Sequence, residues 1–241
     1  FARDPSCLAA INAADGGSWR SPFRPGVVYP AAPSGTGSFE EKAGLIVKSN
    51  VKTSNGYFES AIASGLNQPA NRWFVQTALN LKGRPIHGAY VFRAYMTSLP
   101  PAPTTYLSTS LCYTAKTLIY IVMQTDNTGA MTFFITIGAK TTGGGQGTLR
   151  LNVTKAQLSP YLDKWTVFVV NVDYSAKTLS FYGDGNLIAT MTIGAAYLNY
   201  FYDLAGDDYF CLGAASPSIN QGDYTRMKNG LLFDRPLSIG E

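Results

Sequence analysis

The side chains best equipped to hold a ligand gather in the last quarter of the chain. Residues 197–203 read Tyr-Leu-Asn-Tyr-Phe-Tyr-Asp, and Gly206, Asp207 and Asp208 follow closely. Sugar rings present apolar C–H faces that stack on aromatic rings, while their hydroxyls need Asp and Asn partners; this stretch supplies both. Tyr200, Phe201 and Tyr202 are consecutive. Side chains alternate along a strand, so these three cannot all point inwards, and at least one ring is expected to face solvent or a neighbouring loop. The expected ligand site is therefore Tyr197, Asn199, Tyr200, Tyr202, Asp203, Asp207 and Asp208. Alternatively, Tyr197 and Phe201 anchor the stretch to the core and the acids merely solvate it. Trp19, Tyr29 and Tyr106 are further aromatic candidates in other loops.

Catalytic chemistry finds less to work with. Retaining glycoside hydrolysis needs two carboxyl groups roughly 5 Å apart. The glutamates are Glu40, Glu41, Glu59 and Glu241, and Glu59 has no acid two residues away on either side. His87, the one histidine, sits in Pro-Ile-His-Gly, where a solvated loop histidine is the default, and no Gly-x-Ser-x-Gly elbow accompanies it. Cys7, Cys112 and Cys211 permit at most one internal disulfide, and none lies in a C-x-x-C pair. Buried free thiols fit them better. A lone histidine and wide cysteine spacing give zinc no ligand set. The net charge is +4, yet Lys and Arg are scattered and never form a run of even four. Nucleic acid is not an expected partner, because phosphate affinity needs clustered cations. No apolar segment approaches the roughly 20 residues that cross a bilayer, so membrane insertion is not expected either.

The elements that must position these groups are strands. Gly, Tyr and Phe number 24, 15 and 13 against 14% charged residues, a balance suited to short strands and turns rather than long amphipathic helices. Residues 164–193 form the centre. Trp165, Val167 and Val169 fall on one face of an extended run, with Phe168, Val170 and Val172 on the other, so both faces must be covered. A turn at residues 175–177 leads into 178–182, Asp184-Gly185 reverses the chain, and Leu187, Ala189, Met191 and Ile193 alternate with polar residues. Trp165, Phe168, Val170, Phe181, Trp73 and Phe210 are expected to be largely buried.

Further strands are predicted at 44–49, 57–63, 72–81, 88–96, 105–113, 117–124, 131–138, 148–153, 209–214 and 225–234. Residues 143–147 should form a flexible loop and 154–161 a helical turn. Residues 1–38, broken by prolines at 22, 25, 30 and 33, read as an irregular arm or linker, with a helical turn or two over residues 6–14 at most. Residues 39–241 then form one domain. The start at Phe1, without a basic-then-apolar leader pattern, fits a processed or excised piece of something longer. Asn152-Val153-Thr154 is a sequon for N-glycosylation.

Several segments, taken in order, carry a resemblance. The Trp165 strand with its Asp-Tyr turn, aromatic strand, Asp-Gly and apolar strand resembles the core hairpin of the concanavalin A-like and laminin G-like jelly rolls. Asn55-Gly56-Tyr57-Phe58-Glu59-Ser60, Asn71-Arg72-Trp73-Phe74 and Tyr209-Phe210-Cys211-Leu212-Gly213 look like other strands of that superfamily, and residues 229–238 look like its closing strand. The match spans residues 44–241. It implies an all-β, two-sheet antiparallel jelly-roll sandwich bearing the N-terminal arm.

The superfamily includes lectins, adhesion modules and polysaccharide-cleaving enzymes. Its endoglucanases carry Glu-x-Asp-x-x-Glu on a strand after the tryptophan strand; the comparable residues 88–96 hold no carboxylate. Its lyases use His and Tyr with Arg or Gln, for which His87, Arg84, Gln76, Arg93 and Tyr95 are the available residues, without the lyase motifs. Its calcium sites take rim Asp and Asn, here Asp203, Asp207, Asp208 and Asp223. No Asp-x-Asp-x-Asp loop exists, so no cofactor is expected, and Asp184-Gly185-Asn186 is explained by turn geometry. The chain is thus expected to be a non-catalytic, lectin-like module for surface glycans, exported or on a virion or cell surface. The alternative is a structural jelly roll that packs against neighbouring subunits of a larger assembly. A polysaccharide lyase or glycosidase is a lesser one.

Overall fold

The computed structural model describes the strands named below and, between them, residues 6, 88, 142–145, 154–164, 174–177, 184–185, 193–196, 234–238 and 240–241. Side chains are described for residues 6, 88–96, 121, 133–145, 147–198, 230–238 and 240–241. The chain opens with β1 (Cys7–Ala13), β2 (Ser18–Arg20), β3 (Val28–Pro30), β4 (Ser38–Glu40), β5 (Leu45–Lys48), β6 (Lys52–Ser54) and β7 (Tyr57–Glu59). It continues through β8 (Phe74–Leu79), β9 (Ala89–Met96), β10 (Leu107–Thr114), β11 (Ile119–Thr125), β12 (Met131–Thr141) and β13 (Gln146–Val153). A one-turn helix, α1 (Lys155–Leu158), precedes β14 (Trp165–Asp173), β15 (Thr178–Gly183), β16 (Asn186–Thr192), β17 (Tyr197–Tyr200), β18 (Asp208–Leu212) and β19 (Thr225–Phe233).

Every described pairing is antiparallel, and the strands form two sheets. The first runs β16-β15-β14-β9-β19-β1-β2-β3, with β7 also on β19 and β6 on β7; the second runs β13-β12-β11-β10-β18-β8-β5-β4, with β17 on β12. The two-sheet, all-β architecture read from the sequence is the observed one. Some neighbours in the sheets are far apart in sequence: β9 lies between β14 and β19, and β18 lies between β10 and β8.

β14, third from one end of the first sheet, alternates its side chains between the two faces. Phe168, Val170 and Val172 are buried between the sheets, whereas Val167 points outwards and is 39% exposed. Phe92 of β9 stacks on Phe168 (centroids 5.3 Å apart), Phe168 on Phe181 of β15 (5.5 Å), and Phe181 on Phe133 of β12 in the opposite sheet (5.0 Å). This ladder of rings joins the layers. Burying one such side chain contributes roughly 1.5–3 kcal/mol, and each stacked pair about 0.5–1.5 kcal/mol more.

Local chemistry fixes the connections. Asp184 and Gly185 have φ of 48° and 81°, the paired positive values that a two-residue hairpin turn requires and that Asp and Gly tolerate best. At the preceding turn the Asp173 carboxylate accepts the N–H groups of Ser175 and Ala176, each at 2.8 Å. Thr154 caps α1 in a reciprocal box with Gln157, whose side chain also donates to the Ile188 carbonyl of the edge strand β16 at 3.1 Å.

Four expectations need correction. Residues 7–13 form a strand, not a helical turn, and pair with β19 from Cys7 opposite Phe233 to Asn12 opposite Asn229. Ladder hydrogen bonds along an existing strand outweigh the weak helical tendency of so short a run. Trp165 is half-buried rather than buried, because its face of β14 looks away from the other sheet; it meets Tyr95 edge to face at 6.0 Å. The alternation expected in β16 slips: the register shifts between Phe181 and Tyr182, so that Ile188 and Ala189 are both buried and Leu187 is 55% exposed. The glycine run after β12 is a closed hairpin turn, in which Thr141 N–H donates to the Gly145 carbonyl and Gly144 N–H to the Thr141 carbonyl, both at 2.9 Å. The side chains of Trp73 and Phe210 lie outside the described residues.

Candidate functional site

The first region to place is the aromatic and acidic stretch. β11 begins opposite Ile137, so the last residues of β12 overhang their neighbour and keep a flank open. β17 takes that flank: Tyr197 lies opposite Thr141, Asn199 opposite Lys140 and Tyr200 opposite Ala139. Three hydrogen bonds hold its base. Thr142 N–H donates to the Ala196 carbonyl at 2.9 Å, Tyr197 N–H to the Gly194 carbonyl at 3.0 Å, and the Lys177 ammonium to the Tyr197 carbonyl at 2.7 Å.

The Tyr197 ring is half-buried and packs against Gly147 of β13, where an added Cβ would come within 2.5 Å of it. Only glycine leaves room for the ring there. Leu198, beside it, is 48% exposed. Asp208 opens β18 opposite Leu79, and Phe210 lies opposite Thr114, the last residue of β10. The end of β10, the start of β11 and the end of β12 share one rim of the second sheet, so β17 and Asp208 stand at the same rim. Tyr202, Asp203 and Asp207 lie outside the described residues, as do His87, Arg84, Asp223 and Glu59's side chain. Among the described residues no cluster of three His, Cys, Asp or Glu is placed to hold a metal ion.

The second region escaped the sequence reading. On the outer face of the first sheet, Tyr182, Val169, Val91 and Leu231 lie directly opposite one another across β15, β14, β9 and β19. They floor a cleft of about 360 Å³. The chain after β19 folds back over it, placing Leu237, Ser238 and Glu241 along one wall, while Asp184 and Gly185 stand on another. Asn171 ties this tail down: its amide donates to the Leu237 carbonyl and accepts from the Leu237 N–H, both at 2.9 Å. Arg235 then clasps Glu241, donating to both carboxylate oxygens, at 2.6 and 3.0 Å, and Ser238 donates to it from backbone and hydroxyl. Those bonds, the Arg235 guanidinium first, bring the Glu241 carboxyl down from 4.5 to about 2. The signal for this region lay in the outward row Trp165, Val167, Val169, which ends in a polar Asn171: an apolar outer face must be covered, and an asparagine within it must find partners.

No protein-family model matches the sequence, and no curated protein matches it. Solved structures do. The binding domain of botulinum neurotoxin DC in complex with rat synaptotagmin II is similar over 98% of this chain and 50% of that one, with a TM-score of 0.58 and 11% identity. The binding domain of botulinum neurotoxin serotype D/C VPI 5993 gives 0.56 at 10% identity, and the DC binding domain in complex with SialylT gives 0.55 at 10%, with the same coverage. The chain spans about half the length of these structures. At such identities the likeness is one of fold.

Proposed function

We propose that the chain is a non-catalytic binding module whose ligand is a glycan, taken at the rim that carries residues 197–208. The observation that carries this is the clamped base of β17. Hydrogen bonds from Thr142 and Lys177 and the Tyr197 ring on Gly147 hold Asn199 and Tyr200 in strand register at the open end of the second sheet. A site built on a rigid element needs little ordering when the ligand arrives. Stacking rings and Asp or Asn partners are the groups a sugar uses. The fold's similarity to binding domains, one of them in complex with SialylT, supports the same direction. We place the sandwich with the laminin G-like and concanavalin A-like jelly rolls, and the module outside the cell or on a virion or cell surface. No helix of the described residues is long and apolar enough to cross a membrane.

A second use of the fold has its own support. β16 ends the first sheet, and Leu187 on it is 55% exposed, features of an edge that packs against a neighbouring subunit. A glycan array on this chain, run beside light scattering, separates the two. Binding to a defined oligosaccharide class by a monomer supports the glycan module; no glycan binding with self-association supports the assembly role.

A further inference from the structure

The polar groups around the outer-face cleft are unequally occupied. Asn171 spends both ends of its amide on Leu237, and Glu241 spends both oxygens on Arg235 and Ser238. These groups are already engaged, and Val91, Val169 and Leu231, with Val167 and Leu237 beside them, make most of the lining aliphatic. Such a cleft suits an apolar body. Asp184 differs. One of its oxygens accepts the Val167 N–H at 2.9 Å, but the other has only a 3.7 Å approach from Lys164, whose side chain is half exposed and also lies 5.3 Å from the Tyr161 ring centre. The ring of Tyr182 lines the same cleft. The cleft therefore presents one weakly compensated carboxylate together with a floor made of one aromatic ring and three aliphatic side chains.

From this charge pattern we propose that the cleft binds a small amphiphilic cation: an aliphatic or aromatic body lies on the Val169–Val91–Leu231 row, and one protonated amine displaces Lys164 from Asp184. The site is separate from the rim of residues 197–208 and does not rest on glycan binding. An ammonium reaching the free oxygen of Asp184 makes a charge-assisted hydrogen bond, and the adjacent Tyr182 ring adds a cation–π contribution.

Octylammonium, octanoate and octanol, which share a chain length and differ in head-group charge, are titrated below their self-assembly concentrations by calorimetry. Tyr182 ring resonances are followed by NMR. Octylammonium is expected to bind about tenfold more tightly than either of the others and to shift the Tyr182 signals. Asp184→Asn keeps the acceptor for Val167 N–H and tolerates the positive φ of the turn, so it should fold and lose that preference. Lys164→Ala, a change at a half-exposed side chain, should tighten octylammonium binding a few-fold by removing the competing cation. Val167→Phe, which fills the mouth, should weaken all binding. No binding by wild type, equal binding of the three probes, or unchanged selectivity in Asp184→Asn would each overturn the proposal. If Asp184→Asn does not fold, unchanged affinity in Lys164→Ala does so.

Discussion

The rim of the second sheet and the outer cleft of the first are built in different ways. At the rim, backbone carbonyls are what is held: that of Ala196 accepts the Thr142 N–H and that of Tyr197 the Lys177 ammonium. At the cleft, side chains do the holding: Asn171 and Arg235 fasten a returning tail through its backbone and its last carboxylate. The first arrangement fixes a strand through its backbone carbonyls, while the second engages the side chains of Asn171, Arg235, Ser238 and Glu241. Under the two proposals above, the aromatic and acidic rim takes a hydroxyl-rich ligand, whereas the largely aliphatic cleft takes an apolar body whose one positive charge meets Asp184.

The largest effect should come from the core that both regions share. Phe181 contacts Phe168 in its own sheet and Phe133 in the other, so Phe181→Ala should cost about 3–5 kcal/mol, read as a lowered denaturation midpoint, and abolish binding at both regions together. Loss of binding at one region alone would mean that the two are not supported by a common core. Asn171→Ala should divide them. It strips both partners from the Leu237 backbone at a cost of about 1–3 kcal/mol, and hydrogen exchange should rise at Leu237 while β17 amides keep their protection.

The reciprocal change is Gly147→Ala. The added methyl pushes the Tyr197 ring outwards, with a stability loss of about 1 kcal/mol and altered Tyr197 resonances, and should leave the tail untouched. The smallest effect concerns acid. Glu241 titrates at about 2 in the folded chain against an ordinary 4.5, so its clasp contributes stability above the ordinary value and loses it as pH falls from about 4.5 towards 2. NMR titration of its side-chain carboxyl should find no transition near 4.5 in wild type, and Arg235→Ala should restore one.

These contrasts also explain what could be read in advance. Strand alternation in residues 165–173 is a property of adjacent side chains, so the two-sheet class, the buried Phe168 and Phe181 and the Asp184-Gly185 turn were legible. β1 was not. Its residues carry no alternation of their own, and their strand form depends on β19, more than two hundred positions away. The cleft was illegible for the same reason, since its floor draws one residue from each of four strands. The aromatic run at 197–203 stood out by composition, but composition could not say that Tyr197 would turn onto Gly147. That depended on β17 joining the overhang of β12.

Glycan binding at the rim is the proposal on which the assigned function depends. It is tested most directly by titrating an oligosaccharide from the array against wild type, Tyr200→Ala, Tyr202→Ala and the cleft-filling Val167→Phe, with melting temperatures taken for each. Wild type and Val167→Phe should bind alike, in the mM to μM range that corresponds to about −4 to −8 kcal/mol, while each tyrosine variant stays folded and loses most of that affinity. Folded tyrosine variants that bind as wild type does, or a Val167→Phe variant that alone fails to bind, would contradict it.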